Sequence, residues 1–364
     1  MPAHILRCAQ RVRLQPLARR LATAATHGTP TNSSLAPSAR LQGSLSAFPS
    51  RDETPSIGTR FPASVQLSTF LSGPRTESDA LIKDLATLVS HRGVVFFENQ
   101  DITLPQQKEL AFRMGKLSGN PSTSGLHRHP ISEDTGELGG DTSVISSVGG
   151  IALGGIVEHQ RASRGWHSDI TFEAVPADYS LLKMHTLPPV GGDTLWSSCY
   201  EAYDRLSPSF AKFLEGLTAL HSATFFLDQA KQLGVKIQDP RGSPENTGSE
   251  LMSIHPVVRT HPVTNYKALF VNDCFTTRIM ELHGEESEAI LAYLARHVAE
   301  NHDFQVRYRW GKNDVAIWDN RATLHSATND YGNQLREGLR VVSIGERPYF
   351  DPTSLSRREA LGSH

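Results

Sequence analysis

The spacing of hydrophobic positions changes period several times along this chain. In ESDALIKDLATLVSHRG (77–93), Leu81, Leu85 and Leu88 recur at helical intervals, and Gly93 supplies a stop. VVFFEN (94–99) follows as an unbroken apolar run and predicts a buried strand. TLPQQKELAFRMGKL (103–117) returns to helical spacing, with Thr103 placed to cap it. From Ser118 to Arg164 the periodicity dissolves into Gly, Ser, Thr and His, with paired glycines at 149–150 and 154–155. So long a stretch inside a domain reads as a functional lid.

Beyond it, short apolar strands dominate: GWHSDITF (165–172), YSLLKMHTL (179–187), ALFVN (268–272), DVAIWDN (314–320) and LRVVSIGE (339–346). Helical spacing appears only at about 199–219 and 285–300. Many strands with few helices between them predict a mostly β, α+β protein. The strands form a closed or sandwiched antiparallel architecture with helices at its periphery. No repeat of fixed period interrupts the pattern, so one domain is the economical reading.

Composition changes this picture at one end only. The chain has 364 residues, 38% hydrophobic and 20% charged, which is the balance of a soluble globular protein. A net charge of −2 offers no electrostatic case for nucleic acid or an anionic membrane as partner. No apolar run is long enough to span a bilayer. The cysteines at 8, 199 and 274 form neither a disulfide framework nor a metal knuckle. Between Met1 and Arg51, however, there are seven arginines and no acidic residue, the first being Asp52. Residues 1–52 thus read as a basic leader, either a mitochondrial transit peptide or a disordered arm. The expected organisation is this leader, a body over 53–352 and a short tail over 353–364; self-association is left open.

The chemistry is concentrated in two stretches. On a strand, His167 and Asp169 share a face, with Trp166 and Ser168 pointing away. A carboxylate in so apolar a segment needs a cationic partner, because burying it alone costs several kcal/mol. Far downstream, DVAIWDNRATLHSA (314–327) delivers His325 just after an apolar strand. Two histidines and one carboxylate form a facial triad that leaves three positions open on non-haem Fe(II), whereas structural zinc wants a closed tetrahedral set. Such iron needs a co-substrate to reduce O2. A 2-oxo acid chelates through two positions and leaves the third for O2, and its distal carboxylate calls for a guanidinium. Arg336 follows His325 after the turn-forming NDYGN (329–333), which can bring it back beside the histidine.

These residues resemble the Fe(II)/2-oxoglutarate dioxygenases of the taurine dioxygenase type, the TauD/TfdA family. The likeness runs from Pro55 to Pro352 through GWHSDITF, PPVGGDTLWSS (188–198), HPVVRTHPVTNYKALFVN (255–272), WDNRATLHSA (318–327) and the pair Arg336 and Arg340. It implies a double-stranded β-helix, or jelly roll, with iron near one open end. His167, Asp169 and His325 match the iron ligands. Thr194 and Arg336 match the residues that hold 2-oxoglutarate, and Arg340 matches an arginine that faces an anionic substrate or helps hold the co-substrate. The substrate-contacting histidine of the lid falls at His127 or His129. Taurine-specific members carry asparagine four residues before the first iron histidine, and here Ser163 stands there. The resemblance therefore implies oxidation of a small anionic substrate. A taurine-like alkylsulfonate comes first, then a sulfate ester, a carboxylate metabolite or a natural-product intermediate. A non-catalytic jelly-roll binding protein is the rival of another class.

Overall fold

Val94–Phe97 is buried along its whole length, and its two faces reveal the layering. In the computed structural model, which describes residues 43–131, 138–147 and 162–362, Val95 and Phe97 pack with Val315, Ile317, Tyr179 and Leu181. Ile82, Leu85 and Val89 of the helix Arg75–Arg92, and Leu110 and Met114 of the helix Leu104–Leu117, cover them. Val94 and Phe96 face the other way, joining Ala316, Trp318, Leu182 and Met184 against Trp196, Val306 and Tyr308 of a second sheet. An unbroken apolar run is what a strand covered on both faces requires.

The main sheet has seven strands. From edge to edge they are Arg51–Asp52, Thr59–Phe61, Val94–Phe97, Val315–Asp319, Ala177–Thr186, Glu337–Ile344 and Ser143–Ser146. All pairings are antiparallel except that of Thr59–Phe61 with Val94–Phe97. Facing it is a three-stranded sheet of Gln305–Tyr308, Thr194–Ser198 and Thr323–Ala327, in which His325 lies opposite Trp196 and Ala327 opposite Thr194. Two further sheets extend the second half. One orders Thr276–Ile279, Thr218–Ser222 and Met252–Pro256; the other pairs Lys267–Leu269 with Val258–Thr260. The helix Gly284–Glu300 packs against the first of these through the Thr276–Ile279 strand. The architecture is mostly β with helices on the outside.

The predicted helices over 77–93 and 103–117 form as expected, and Thr103 and Gln106 make a reciprocal capping box. Other expectations need correction. The predicted strand at GWHSDITF is a single bridge at His167 followed by a turn, because Ile170 takes φ +51° and reverses the chain. The single helix expected over 199–219 is two, Cys199–Asp204 and Pro208–Leu214, followed by a strand from Thr218. Pro208 lacks the N–H a continuous helix would need and instead starts the second. The ALFVN strand ends at Leu269.

The chain divides into two units, Met1–Leu35 and Ala36–His364. The first lies outside the described residues, as does the rest of the predicted leader up to 42. Residues 43–52 belong to the fold instead: Leu45 is buried, Ser44 bonds Asp84, and Arg51–Asp52 is an edge strand. The expected tail also packs, as the helix Arg357–Leu361 with Arg357 bonded to Glu201. Of the predicted lid, 132–137 and 148–161, with both glycine pairs, lie outside the described residues; Ser143–Ser146 joins the main sheet.

Candidate metal centre

Between the two facing sheets lie three groups that suit a metal ion. His167 and His325 exchange both backbone hydrogen bonds, with His167 N donating to His325 O at 3.0 Å and His325 N to His167 O at 2.8 Å. This bridge ties the two distant segments and brings the ring centroids to 4.2 Å. Asp169 follows two residues on, and one donor atom from each of the three lies within 4.8 Å of the others. Trp166 and Leu324, the alternate positions, point away into another apolar cluster.

The ligating atoms are selected by what the other atoms do. His167 Nδ1 sits 2.8 Å from Gly165 O, so it carries a proton and Nε2 is the nitrogen left to ligate a metal. His325 Nε2 faces Asp169 Oδ1 at 3.9 Å. Asp169 Oδ2 accepts from Ser180 Oγ at 2.7 Å, and its backbone N–H donates to Asn320 Oδ1 at 3.1 Å. Two imidazoles and one carboxylate with a single face between them fit a divalent metal with open positions.

The cation that the buried carboxylate demanded is Arg340, whose Nη1 lies 2.6 Å from Asp169 Oδ1. Burial alone would push the Asp169 pKa up, but Arg340, His325 and His167 together hold it well below the carboxylate range. Burial, then the His167 charge, takes His325 down to about 3. For His167 burial works in the same direction, yet the neighbouring Cys274 sulfur and Asp169 outweigh it and raise the pKa to about 9, so a metal at Nε2 must displace a proton.

Arg336 and Thr194 meet on the same interior wall. Arg336 is buried, donates from Nε to Gly192 O at 2.8 Å and places Nη2 3.3 Å from Thr194 Oγ1. Trp310 Nε1 donates to the same hydroxyl at 3.0 Å. Thr194 is two positions from Trp196, the partner of His325, so it shares the histidine's face roughly 7 Å along the strand.

Both lid histidines are buried near this centre. The backbone N–H of His127 donates to Val342 O, beside the strand that carries Arg340, and both of its ring nitrogens lack a partner. Burial and the Arg340 charge push its pKa down to about 3. The ring of His129 lies 6.1 Å away and packs edge-on to Phe226 at 4.8 Å. Ser163 is not brought to the triad. It is exposed on a one-turn segment, and the cavity of about 590 Å³ that it lines contains none of His167, Asp169, His325, Arg336 or Arg340. Ser180 belongs to no motif in the sequence, and Cys274 stands there only as one of three cysteines without a disulfide or metal pattern. The only signal for Ser180 was a hydroxyl in an otherwise apolar strand.

A metal with open positions beside a buried guanidinium is the equipment of an oxo-acid-dependent dioxygenase, and comparison with known proteins agrees. The chain belongs to the TauD/TfdA family: the family model described as "Taurine catabolism dioxygenase TauD, TfdA family" matches residues 51–342. The chain is 43% identical over 333 residues to the alpha-ketoglutarate-dependent dioxygenase oryG of Aspergillus oryzae, covering 89% of this chain and 96% of that one. It is 34% identical over 288 residues to an alpha-ketoglutarate-dependent sulfonate dioxygenase of Saccharomyces cerevisiae, covering 75% and 63%. A solved taurine dioxygenase of Burkholderia xenovorans superposes with a TM-score of 0.64 at 26% identity, covering 84% of this chain and 94% of that one. The protein is an alpha-ketoglutarate (2-oxoglutarate)-dependent dioxygenase, an enzyme acting on a small molecule.

Proposed function

We propose that this enzyme is built on a double-stranded β-helix and uses Fe(II), 2-oxoglutarate and O2 to oxidise a small sulfonate-type anion with an apolar tail. Iron suits the donor set of His167, Asp169 and His325, which leaves three positions open. Bound iron would activate O2, the oxidant, while 2-oxoglutarate gives up two electrons and leaves as succinate and CO2. Arg336 grips the distal carboxylate of 2-oxoglutarate with its planar fork while the Thr194 hydroxyl fixes the rotation.

One observation carries the substrate reading: among the described residues, Arg340 Nε and the ring nitrogens of His127 are buried polar atoms with no partner within hydrogen-bond distance, beside the triad. The Arg340 Nε–H and the one N–H of the neutral His127 ring are costly to leave unpaired, so a ligand with acceptor oxygens belongs there. A sulfonate offers three such oxygens. The adjoining wall is aromatic, with Phe275 6.1 Å from His167, Phe172 5.3 Å from Phe275, and Phe226 against His129. It favours an apolar tail over the ammonium of taurine. The name of the yeast sulfonate relative points the same way. Hydroxylation of the carbon bearing sulfur gives an adduct that breaks its C–S bond to an aldehyde and sulfite. A sulfate ester in the same seat would give an aldehyde and sulfate.

A panel of anions scored by succinate release tests this. Alkylsulfonates with apolar tails should outperform taurine and yield one sulfite per succinate. Sulfate in place of sulfite would move the assignment to sulfate esters. Turnover confined to carboxylates, or no visible charge-transfer band on anaerobic addition of Fe(II) and 2-oxoglutarate, would overturn it.

A further inference from the structure

Asp169 has two carboxylate oxygens, and an open metal site needs only one of them. A carboxylate ligating through both would take a fourth position and leave too few for a chelating oxo acid and O2. The two oxygens have different hydrogen-bond partners.

The side-chain amide of Asn320 sits between four groups. Its Oδ1 lies 3.0 Å from Trp318 Nε1 and 3.1 Å from the Asp169 backbone N, and both of those groups can only donate. Its Nδ2 lies 2.9 Å from Ser180 Oγ and 3.3 Å from Asp178 O, the latter able only to accept. The amide orientation is therefore fixed by its surroundings. Since Nδ2 donates to Ser180 Oγ, the single proton of that hydroxyl goes to its remaining partner, Asp169 Oδ2, at 2.7 Å. Ser180 and Asn320 are both buried. The chain of donors thus runs one way, from the Asn320 amide through the Ser180 hydroxyl to Oδ2. Oδ1 accepts a bond as well, from Arg340 Nη1 at 2.6 Å, but it is the oxygen that faces His325 Nε2, at 3.9 Å, and so the one turned to the metal position.

We infer that Ser180 and Asn320 are positioning residues that restrict Asp169 to ligation through Oδ1 alone and so keep a coordination position open. Asn320 adds a second constraint, since it holds the Asp169 main chain through the same amide. Ser180 comes from the main sheet and Asn320 from the turn leading to His325, so the carboxylate is aligned by elements that also set the second histidine. The hydrogen bonds explain why a hydroxyl interrupts the interior face of Ala177–Thr186, where the next two positions facing inward are Leu182 and Met184.

The inference rests on the triad being the metal site, and a test on metal-free protein separates the two. Mn(II) titration by calorimetry and the Co(II) ligand-field spectrum are recorded for wild type, Ser180→Ala, Ser180→Thr and Ser78→Ala. Ser78 is a control, a buried hydroxyl bonded to Phe70 O and Arg113 on the outer helix, away from the centre. Ser180→Ala should shift Mn(II) affinity about 10-fold or more, because the group orienting Asp169 is gone. Its Co(II) band should also lose intensity as Asp169 Oδ2 becomes free to coordinate. Ser180→Thr, which restores the hydroxyl, should recover both readouts, and Ser78→Ala should leave them unchanged. Ser180→Gly repeats the deletion should the alanine variant fail to fold. Equal affinity and spectra in wild type and Ser180→Ala would overturn the inference, as would an equal shift in Ser78→Ala or no recovery in Ser180→Thr. No Mn(II) or Co(II) binding by wild type would instead overturn the metal assignment itself.

Discussion

At Gly192 the backbone comes so close to Arg336 that a side chain has no room. A Cβ there would lie 2.8 Å from Arg336 Cδ and 2.9 Å from Nε, and φ is +72°, a region that favours glycine. Gly192→Ala should push the guanidinium off Thr194 and raise the KM for 2-oxoglutarate by about tenfold, the equivalent of one charge-assisted hydrogen bond. Mn(II) affinity should stay unchanged, because the triad is untouched. An unaltered KM would show that Arg336 does not seat the oxo acid. The residues of the triad were legible in the sequence because ligation restricts residue type, and a histidine or carboxylate in an apolar run stands out. Ser180 was not legible for the opposite reason: a hydroxyl is tolerated in many strands, and only its partners reveal its work.

Among elements, the segment following Asp169 departs most from its pattern. GWHSDITF alternates as a strand should, yet it bends away at Ile170, and Glu173 N bonds back to Ile170 O at 3.0 Å. The departure is held by tertiary contacts that no local pattern encodes. Glu173 is buried against Arg241, whose Nη2 lies 3.0 Å from Oε2, and Arg241 also reaches Gln238 O and Gly248 O. Burial raises the Glu173 pKa against the pull of Arg241, a sign of how much the carboxylate depends on that partner. Arg241→Ala should cost about 3–5 kcal/mol, because it strands a buried charge. Urea unfolding measures it, and a loss under 1 kcal/mol would mean that other contacts hold the turn. Elements with strong periodicity, such as Arg75–Arg92, were read to within two residues. The break at Arg205–Ser207 was missed because apolar spacing runs on through it while Pro208 restarts the helix.

For the molecule as a whole, buried uncharged histidines set the response to acid. His255 is packed inside with Nε2 2.9 Å from Glu173 O, and burial, with Arg259 nearby, depresses its pKa to about 4. Burial takes His91 to about 4 as well. An unfolded chain protonates these rings near pH 6.5, while the fold resists until about pH 4. Their stabilisation is therefore complete above pH 6.5 and is lost as pH falls towards 4. His255→Gln should flatten the plot of unfolding free energy against pH by about 1.4 kcal/mol per pH unit in that window. A slope identical to wild type would exclude His255 as a contributor. Fold class was readable at this scale because strand-rich patterning survives averaging. Buried structure reaches back to Leu45, ahead of the expected boundary, and so short a plug carries no periodicity to reveal it.

The bridge between His167 and His325 joins one stretch made early on the ribosome to another made near the end. A nascent chain carries two of its three metal-grasping groups from Asp169 onwards and gains the last at His325, just ahead of the Glu337–Ile344 strand that completes the centre of the main sheet. Loading is thus confined to the finished polypeptide, and a truncation anywhere before His325 yields a molecule unable to mature.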